Sequence, residues 1–382
     1  MPLRKLIFWI HLTAGVLAGV VIFILSVTGV ALAYQRQMLA RAERGLRAND
    51  ADAMRPSLPV SQLIANAAAS AGDTPASNVT LRSDPHAPVT IAFGREKTLF
   101  VHRTNGTVLG EGATGLRRAL HTIEDAHRWL MLDGDSRDTG KKITGVANLI
   151  FLFIVLSGLW IWVPKSKKML RNAIWFRGGL RGKARDFNWH NVLGIWSFLP
   201  LVIVVFSGVV ISYPWATRLV YRAFGSTPPA PQQQGAPGGA ERGNRKPTDP
   251  AKLDRLFTAA LAETNRAVPQ WQSISLRLPL SSKGPVTINV DAANGTRPDK
   301  RSQLMLDPKT AEVVEHKTYA QQEAGQKARA WLRWLHTGEA GGVAGQTIAM
   351  LASLASAVLV WTGIALALRR FRGWMNRKEV AS

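Results

Sequence analysis

Four stretches of this chain run for more than twenty residues without a formal charge: 6–35, 143–164, 187–217 and 340–368. At 1.5 Å of rise per residue, about 20 residues cross a hydrocarbon core of ~30 Å, so each stretch predicts a membrane-spanning helix. The pattern divides the chain into spans at 7–33, 143–163, 187–213 and 341–368. Between them lie a long segment at 34–142, a short loop at 164–186, a second long segment at 214–340 and a tail at 369–382.

The long segments read differently. Leu58 to Ala71 has helical spacing, and Val79 to Arg82, Val89 to Phe93 and Thr98 to Arg103 alternate apolar and polar positions as strands do. Asn105-Gly106 predicts a hairpin turn before a further strand at Thr107 to Leu109. Charges at Arg36 to Arg55 suggest that the first span continues as a polar helix until Pro56. The same order returns after residue 250, with a helix from Ala251 to Asn265, strands at Ser273 to Leu278 and Val286 to Val290, a turn at Asn294-Gly295, and a strand at Gln303 to Leu306. Residues 227–250 are rich in Pro, Gly and Gln and read as a flexible loop. The expected fold is a membrane protein of four transmembrane α-helices in two repeated halves, each half carrying one α+β module outside the membrane.

Charge fixes the expected orientation. The chain carries a formal charge of +23, which invites a nucleic-acid reading. Its distribution argues against nucleic acid: residues 1–5, 165–186 and 369–382 hold 15 Lys/Arg against Asp186 and Glu379, while the long segments mix basic residues with 23 acids. Short basic segments beside spans mark the cytoplasmic side, so both termini are expected inside and both modules outside. The basic loop would also suit anionic lipid headgroups. Arg4 and Lys5 followed by an apolar run resemble a secretion signal, but a signal core has about 7–15 apolar residues, so a retained anchor is expected. The absence of cysteine excludes iron–sulfur clusters, covalent haem attachment, catalytic thiols and disulfides.

Eight histidines remain as candidate metal ligands. His86, His102 and His316 stand in polar surroundings and read as solvated. His11 and His190 lie in apolar spans, where an ionisable group marks a functional site. His11 is followed by Gly15 and Gly29, and His190 by Gly194 and Gly208, at identical offsets of 4 and 18. Both helices run outward, so these imidazoles are expected at one depth, facing each other. On the outer side, His127 and His336 each end an aromatic amphipathic turn ahead of a span. His121 is an alternative to His127, six residues away and on another helix face. Facing imidazole pairs suit b-type haem, and glycines let a porphyrin approach the backbone. Close helix packing explains the glycines equally well. Arg128 and Arg333 flank the outer histidines as candidate propionate partners. Zinc is disfavoured for want of His-x-x-x-His or clustered carboxylates.

Ser26-Val-Thr-Gly29, His127-Arg-Trp-Leu, Ser157-Gly-Leu-Trp-Ile-Trp162, Asn188-Trp-His190-Asn-Val-Leu-Gly194 and His336-Thr-Gly-Glu-Ala-Gly-Gly342 together resemble the PepSY-associated transmembrane helix proteins of the bacterial inner membrane. Within that family the resemblance is to reductases of ferrioxamine-type siderophores. It implies two periplasmic PepSY-like modules, two b-type haems held by His11 with His190 and by His127 with His336, and reduction of siderophore iron to Fe(II). The acceptor is expected to dock between the modules near Trp129, Trp331 and Trp334. No Gly-rich dinucleotide fingerprint is present, and the loop at 164–186 is too short for a flavin domain, so electrons are expected from a quinol, a small reductant or another protein. Exchange of electrons with membrane quinone for a different acceptor, a histidine proton relay in a transporter, and a non-enzymatic partner-binding protein stay open on the sequence alone.

Overall fold

The computed structural model describes residues 3–47, 55–94, 97–164, 166–228, 249–280, 284–293 and 295–379. Most of the loop expected at 227–250 (residues 229–248) lies outside them, as do Asn294 and residues 48–54. In chain order the helices are α1 (Leu3–Leu32), α2 (Gln35–Ala42), α3 (Val60–Ala69), α4 (Thr114–Trp129), α5 (Arg137–Trp162), α6 (Lys167–Ile174), α7 (Gly182–Ser212), α8 (Pro214–Ala223), α9 (Pro250–Ala267), α10 (Ala324–His336) and α11 (Gly342–Glu379). The strands are β1 (Ala76–Arg82), β2 (Val89–Phe93), β3 (Lys97–Val101), β4 (Val108–Gly110), β5 (Ser273–Arg277), β6 (Val286–Asp291), β7 (Arg301–Leu306) and β8 (Val313–Lys317). They form two compact units. One comprises Met1–Gln35, Leu120–Val220 and Arg329–Ser382; the other comprises Arg36–Ala119 and Tyr221–Ala328.

The first unit is a four-helix bundle. Four helical stretches, Leu3–Ala42, Gly134–Trp162, Gly182–Ser212 and Glu339–Asn376, are long and apolar enough to cross a membrane. Helix α1 packs on α5 and α11, and α7 packs on the same two, so the contacts close into a ring with α1 and α7 on one diagonal. Small and polar residues line the seams. The hydroxyl of Ser26 meets that of Ser356 at 2.7 Å, and Gln346 Nε2 donates to the Ala33 carbonyl at 2.7 Å. Without water as a competitor such hydrogen bonds help bring helices together. At one end of the bundle, Arg4 donates to the carbonyls of Ile161 and Val163, at 3.0 Å for the latter, capping the C-terminus of α5 with a cation. Asp186, 1% exposed, is ion-paired with Arg185 at 2.8 Å and with Arg369 at 2.7 Å, tying the start of α7 to the last turns of α11.

The uncharged run at 187–217 is not a single helix. Tyr213 is extended, with φ −116° and ψ 120°, because the ring of Pro214 disfavours helical backbone in the residue before it. The first span likewise yields to a separate short helix ending at Ala42, well before Pro56. The aromatic turns expected ahead of the second and fourth spans are helices of 16 and 13 residues, α4 and α10.

The second unit holds the larger correction. The strands expected in two modules lie in one antiparallel eight-stranded sheet of order β4-β3-β2-β1-β5-β6-β7-β8. The join is β1 on β5, with Asn78 opposite Arg277, Thr80 opposite Ser275 and Arg82 opposite Ser273. Pairing hides what would be an exposed edge on each module, the usual liability of a short sheet. Alternation then assigns the faces: Val89, Ile91 and Phe93 in β2 and Val286, Ile288 and Val290 in β6 point into a core closed by Leu63 and Ala67 of α3 and Leu256 and Ala260 of α9. Each such side chain contributes about 1.5–3 kcal/mol on burial. Asp254 of α9 accepts from Ser61 N at 2.8 Å and from the Ser61 hydroxyl, satisfying the open first turn of α3. Strand β8, which the sequence did not predict, pairs with β7 and carries His316 opposite Leu304.

Candidate functional site

His11 on α1 and His190 on α7 face one cavity of about 390 Å³. That volume falls within the ~300–1,000 Å³ of small-molecule and cofactor sites. Their helices occupy a diagonal of the ring, so the two side chains reach inward from opposite sides. Gly15, Gly158, Gly194 and Gly363 also line the cavity. A Cβ built on Gly15 would meet nothing within 4 Å, so that part of the wall is open space.

Each histidine is oriented by a hydroxyl on a neighbouring span. His11 Nδ1 lies 2.9 Å from Ser157 Oγ, and His190 Nδ1 lies 3.0 Å from Thr362 Oγ1. These hydroxyls have one proton each. Ser157 donates it back to the Ile154 carbonyl at 3.2 Å and Thr362 to the Val358 carbonyl at 2.8 Å, the usual back-bonding of Ser and Thr in a helix. With the hydroxyl proton so placed, the oxygen accepts and the imidazole donates from Nδ1. A neutral imidazole with its proton on Nδ1 has a bare lone pair on Nε2, the form in which histidine binds a metal.

The second pair repeats the arrangement. His127 Nδ1 lies 2.8 Å from Thr28 Oγ1, whose proton goes to the Ile24 carbonyl at 2.6 Å. His336 Nδ1 lies 3.2 Å from Ser207 Oγ and 2.8 Å from the Val204 carbonyl oxygen, which can only accept. Burial pushes the His127 imidazole down to about 4, with His336 as a second cause, and burial also lowers His336, so both are neutral near pH 7. Their ring centres are 6.4 Å apart with planes at 59°. Two metal–nitrogen bonds of about 2.0–2.1 Å, extended by two ring half-widths of ~1.1 Å, would place imidazole centres ~6.3 Å apart across one metal ion.

The donor set is therefore two neutral imidazoles brought to each level, enough for a metal ion whose remaining ligands come from elsewhere. Among the described residues, no group of three or more His, Cys, Asp or Glu converges as a protein-only metal site would require. Glycine beside each hydroxyl provides room. A Cβ on Gly158 would lie 3.4 Å from His11 Cε1, one on Gly363 3.3 Å from His190 Cε1, and one on Gly29 3.6 Å from His127 Cε1. Gly208 differs, because its neighbour is Asn148.

The remaining sequence candidates divide. His121 stands on the surface of α4, 3.7 Å from Glu124, away from His336, so His127 is the residue brought to the pair. Arg128 is bound to Glu124 at 2.8 Å and lies over the ring of Trp129, and Arg333 is exposed. Trp129 and Trp334 are 8% and 5% exposed, Trp331 is half-buried, and the two groups of strands between which an acceptor was expected are joined by the β1–β5 ladder. His102 is 6% exposed and bonded to Thr104 at 3.2 Å, and His316 has a buried Nε2 without a hydrogen-bond partner among the described residues. His102, just past the end of β3, is thus not solvated as expected, and His316 is half-buried with its Nε2 covered.

Sequence reasoning missed the hydroxyls. Thr28, Ser157, Ser207 and Thr362 each precede a glycine, and each of the four spans supplies one such pair. Thr28 lies seventeen residues beyond His11, and Ser207 seventeen beyond His190, so both helices carry a histidine and a histidine-binding hydroxyl ~26 Å apart.

A four-helix membrane bundle with two pairs of metal-competent histidines, joined to an antiparallel sheet unit, defines the class. A family model described as PepSY-associated TM region matches residues 8–370, and the chain belongs to that family. No curated protein matches it.

Proposed function

We propose that this protein is a di-haem b electron conduit of the bacterial inner membrane that reduces ferric iron in siderophores on the periplasmic side and releases Fe(II). The observation that carries the reading is the shared contact: all four histidines place Nδ1 within hydrogen-bond distance of a hydroxyl or carbonyl oxygen on a neighbouring span, an arrangement that leaves Nε2 available to a metal. Bound at these positions, haem would supply reversible one-electron transfer at two depths of the bilayer. His11 with His190 would hold one haem near the cytoplasmic face, and His127 with His336 the other near the periplasmic face. The recurrence of helix, four strands, helix and span, together with the seventeen-residue spacing, supports two repeated halves enclosing the sites.

The residues do the positioning. Thr28, Ser157, Ser207 and Thr362 set ring orientation and raise ligand basicity, the ordinary task of groups behind a metal ligand. The apolar walls keep water from the path. The sheet unit would lie in the periplasm and both termini in the cytoplasm, as the basic segments beside the spans favour. One electron per ferric centre converts siderophore-bound Fe(III) to Fe(II), a poorer partner for hard oxygen ligands. The reductant on the other side is a quinol, a small reductant or a protein.

The test is a reduced-minus-oxidised spectrum of the purified full-length chain with haem quantified per polypeptide. Two haems and a sharp α band are expected; no Soret band would overturn the reading. Reduced protein mixed with a ferric hydroxamate siderophore and an Fe(II) chelator should reoxidise as the Fe(II) complex forms, and failure to reoxidise would overturn the substrate.

A further inference from the structure

The cavity of His11 and His190 is mostly apolar and carries charge at one end. Among the described residues its charged lining is confined to Lys183 and Arg370. Lys183 precedes His190 by seven residues and Arg370 follows Gly363 by seven, so both cations stand two helical turns, ~10 Å, to the same side of the imidazole level. Trp162, at the last residue of α5, lines the same cavity, and its Nε1–H is buried without a hydrogen-bond partner among the described residues. A buried indole donor normally finds an acceptor, so an orphan on a cavity wall points to one contributed by a ligand.

The local acid is already committed. Segments 165–186 and 369–382 contain only Asp186 and Glu379 as acidic residues, and Asp186 is occupied by Arg185 and Arg369. Arg370 is held by aromatic faces, its guanidinium carbon 5.0 Å from the Phe8 ring centre and 4.7 Å from that of Trp9. Such stacking fixes the direction of the group while its N–H donors stay available.

Resting on the haem reading of this cavity, we infer that Lys183, Arg370 and Trp162 Nε1–H hold the anionic edge of the bound ligand, so that the cavity selects a planar macrocycle with free carboxylates and fixes their direction toward the end of the bundle that carries Arg4 and Arg369. The carboxylates neutralise the two cations, and one of their oxygens satisfies the indole.

The experiment uses the full-length chain with His336→Ala, which leaves one level to titrate, depleted of haem and reconstituted in detergent. Iron protoporphyrin IX and its dimethyl ester, the same macrocycle without ionisable carboxylates, are titrated optically into this background alone, with Lys183→Gln/Arg370→Gln, or with Trp162→Phe. The expected result is a loss of tenfold or more in affinity for the free acid in the double variant and a several-fold loss in Trp162→Phe, with ester affinity unchanged in both. The ester also serves as the folding control, because a misfolded variant would lose both ligands. Equal losses for the two porphyrins in a variant whose thermal melting in detergent matches the background, or no loss, would overturn the inference while leaving the haem site standing. A His336→Ala chain that binds neither porphyrin would overturn the haem reading itself, and the inference with it.

Discussion

His336 donates from Nδ1 to the carbonyl oxygen of Val204 at 2.8 Å, and a carbonyl oxygen has no other role than to accept. This contact assigns the tautomer of a buried imidazole from heavy atoms alone and leaves Nε2 unprotonated, with the centre of the His127 ring 6.4 Å away. Among the four histidines it is the firmest case; the others reach the same tautomer through a hydroxyl whose proton is spent on its own helix.

Removing a ligand should separate the two levels. His190→Ala is expected to lose one of two haems and to keep the spectrum of the other, and His336→Ala to do the converse. His121→Ala, on the surface of α4, should retain both. Haem content by pyridine haemochrome with difference spectra checks this, and loss of haem in His121→Ala would count against His127 as the ligand.

The hydroxyls should tune potential more than occupancy. Thr362→Val keeps shape and removes the oxygen 3.0 Å from His190 Nδ1. The ring becomes a weaker donor to the oxidised metal, so the midpoint potential of that level should rise by roughly 20–60 mV, one hydrogen bond of about 0.5–1.5 kcal/mol at one electron. Thr28→Val should move only the other level. Potentiometric titration with both α bands resolved is the measurement, and a downward shift would contradict the proposed donor direction.

Filling the cavity should exclude its ligand without unfolding the bundle. Gly15 lines the cavity and a side chain there has nothing within 4 Å to strike. Gly15→Leu also replaces a poor helix former with a good one, worth up to about 1 kcal/mol. The variant should keep its thermal stability in detergent and lose the haem of the His11–His190 level. Full haem content in Gly15→Leu would show that the macrocycle does not pass beside this wall.

The sheet unit should depend on the β1–β5 join. Leu276 in β5 is 1% exposed and packs in the shared core, so Leu276→Ala should destabilise the unit by about 2–5 kcal/mol. Asp254→Ala removes the acceptor for Ser61 at the start of α3 and should cost about 1 kcal/mol. Pulse proteolysis in urea, following cleavage within residues 76–110 and 273–317, reads both effects. If Leu276→Ala exposes only the later strands, the two groups of strands unfold independently and the continuous sheet is not a cooperative element.

The sequence by itself determined the spans and most of the strands, and singled out four histidines, because those signals are local. A long apolar run without charge marks a span within a few residues of its ends, alternation with period two fixes which side of a strand faces the core, and the offsets from His11 to Gly15 and Gly29 recur from His190 to Gly194 and Gly208. Only the tertiary structure decided which elements meet. Nothing in β1 or β5 names its partner, since edge hydrogen bonds are made by backbone common to every residue, and the join of two strand groups into one sheet follows from removing two open edges. The aromatic turn shared with His336 favoured His127 over His121 in the sequence, but its contact with Thr28, a residue 99 positions earlier in the chain, came only from the fold. The pairing of His11 with Ser157 and of His190 with Thr362 is of the same kind, for hydrogen bonds between helices depend on depth and rotation, and hydrophobic periodicity alone specifies neither.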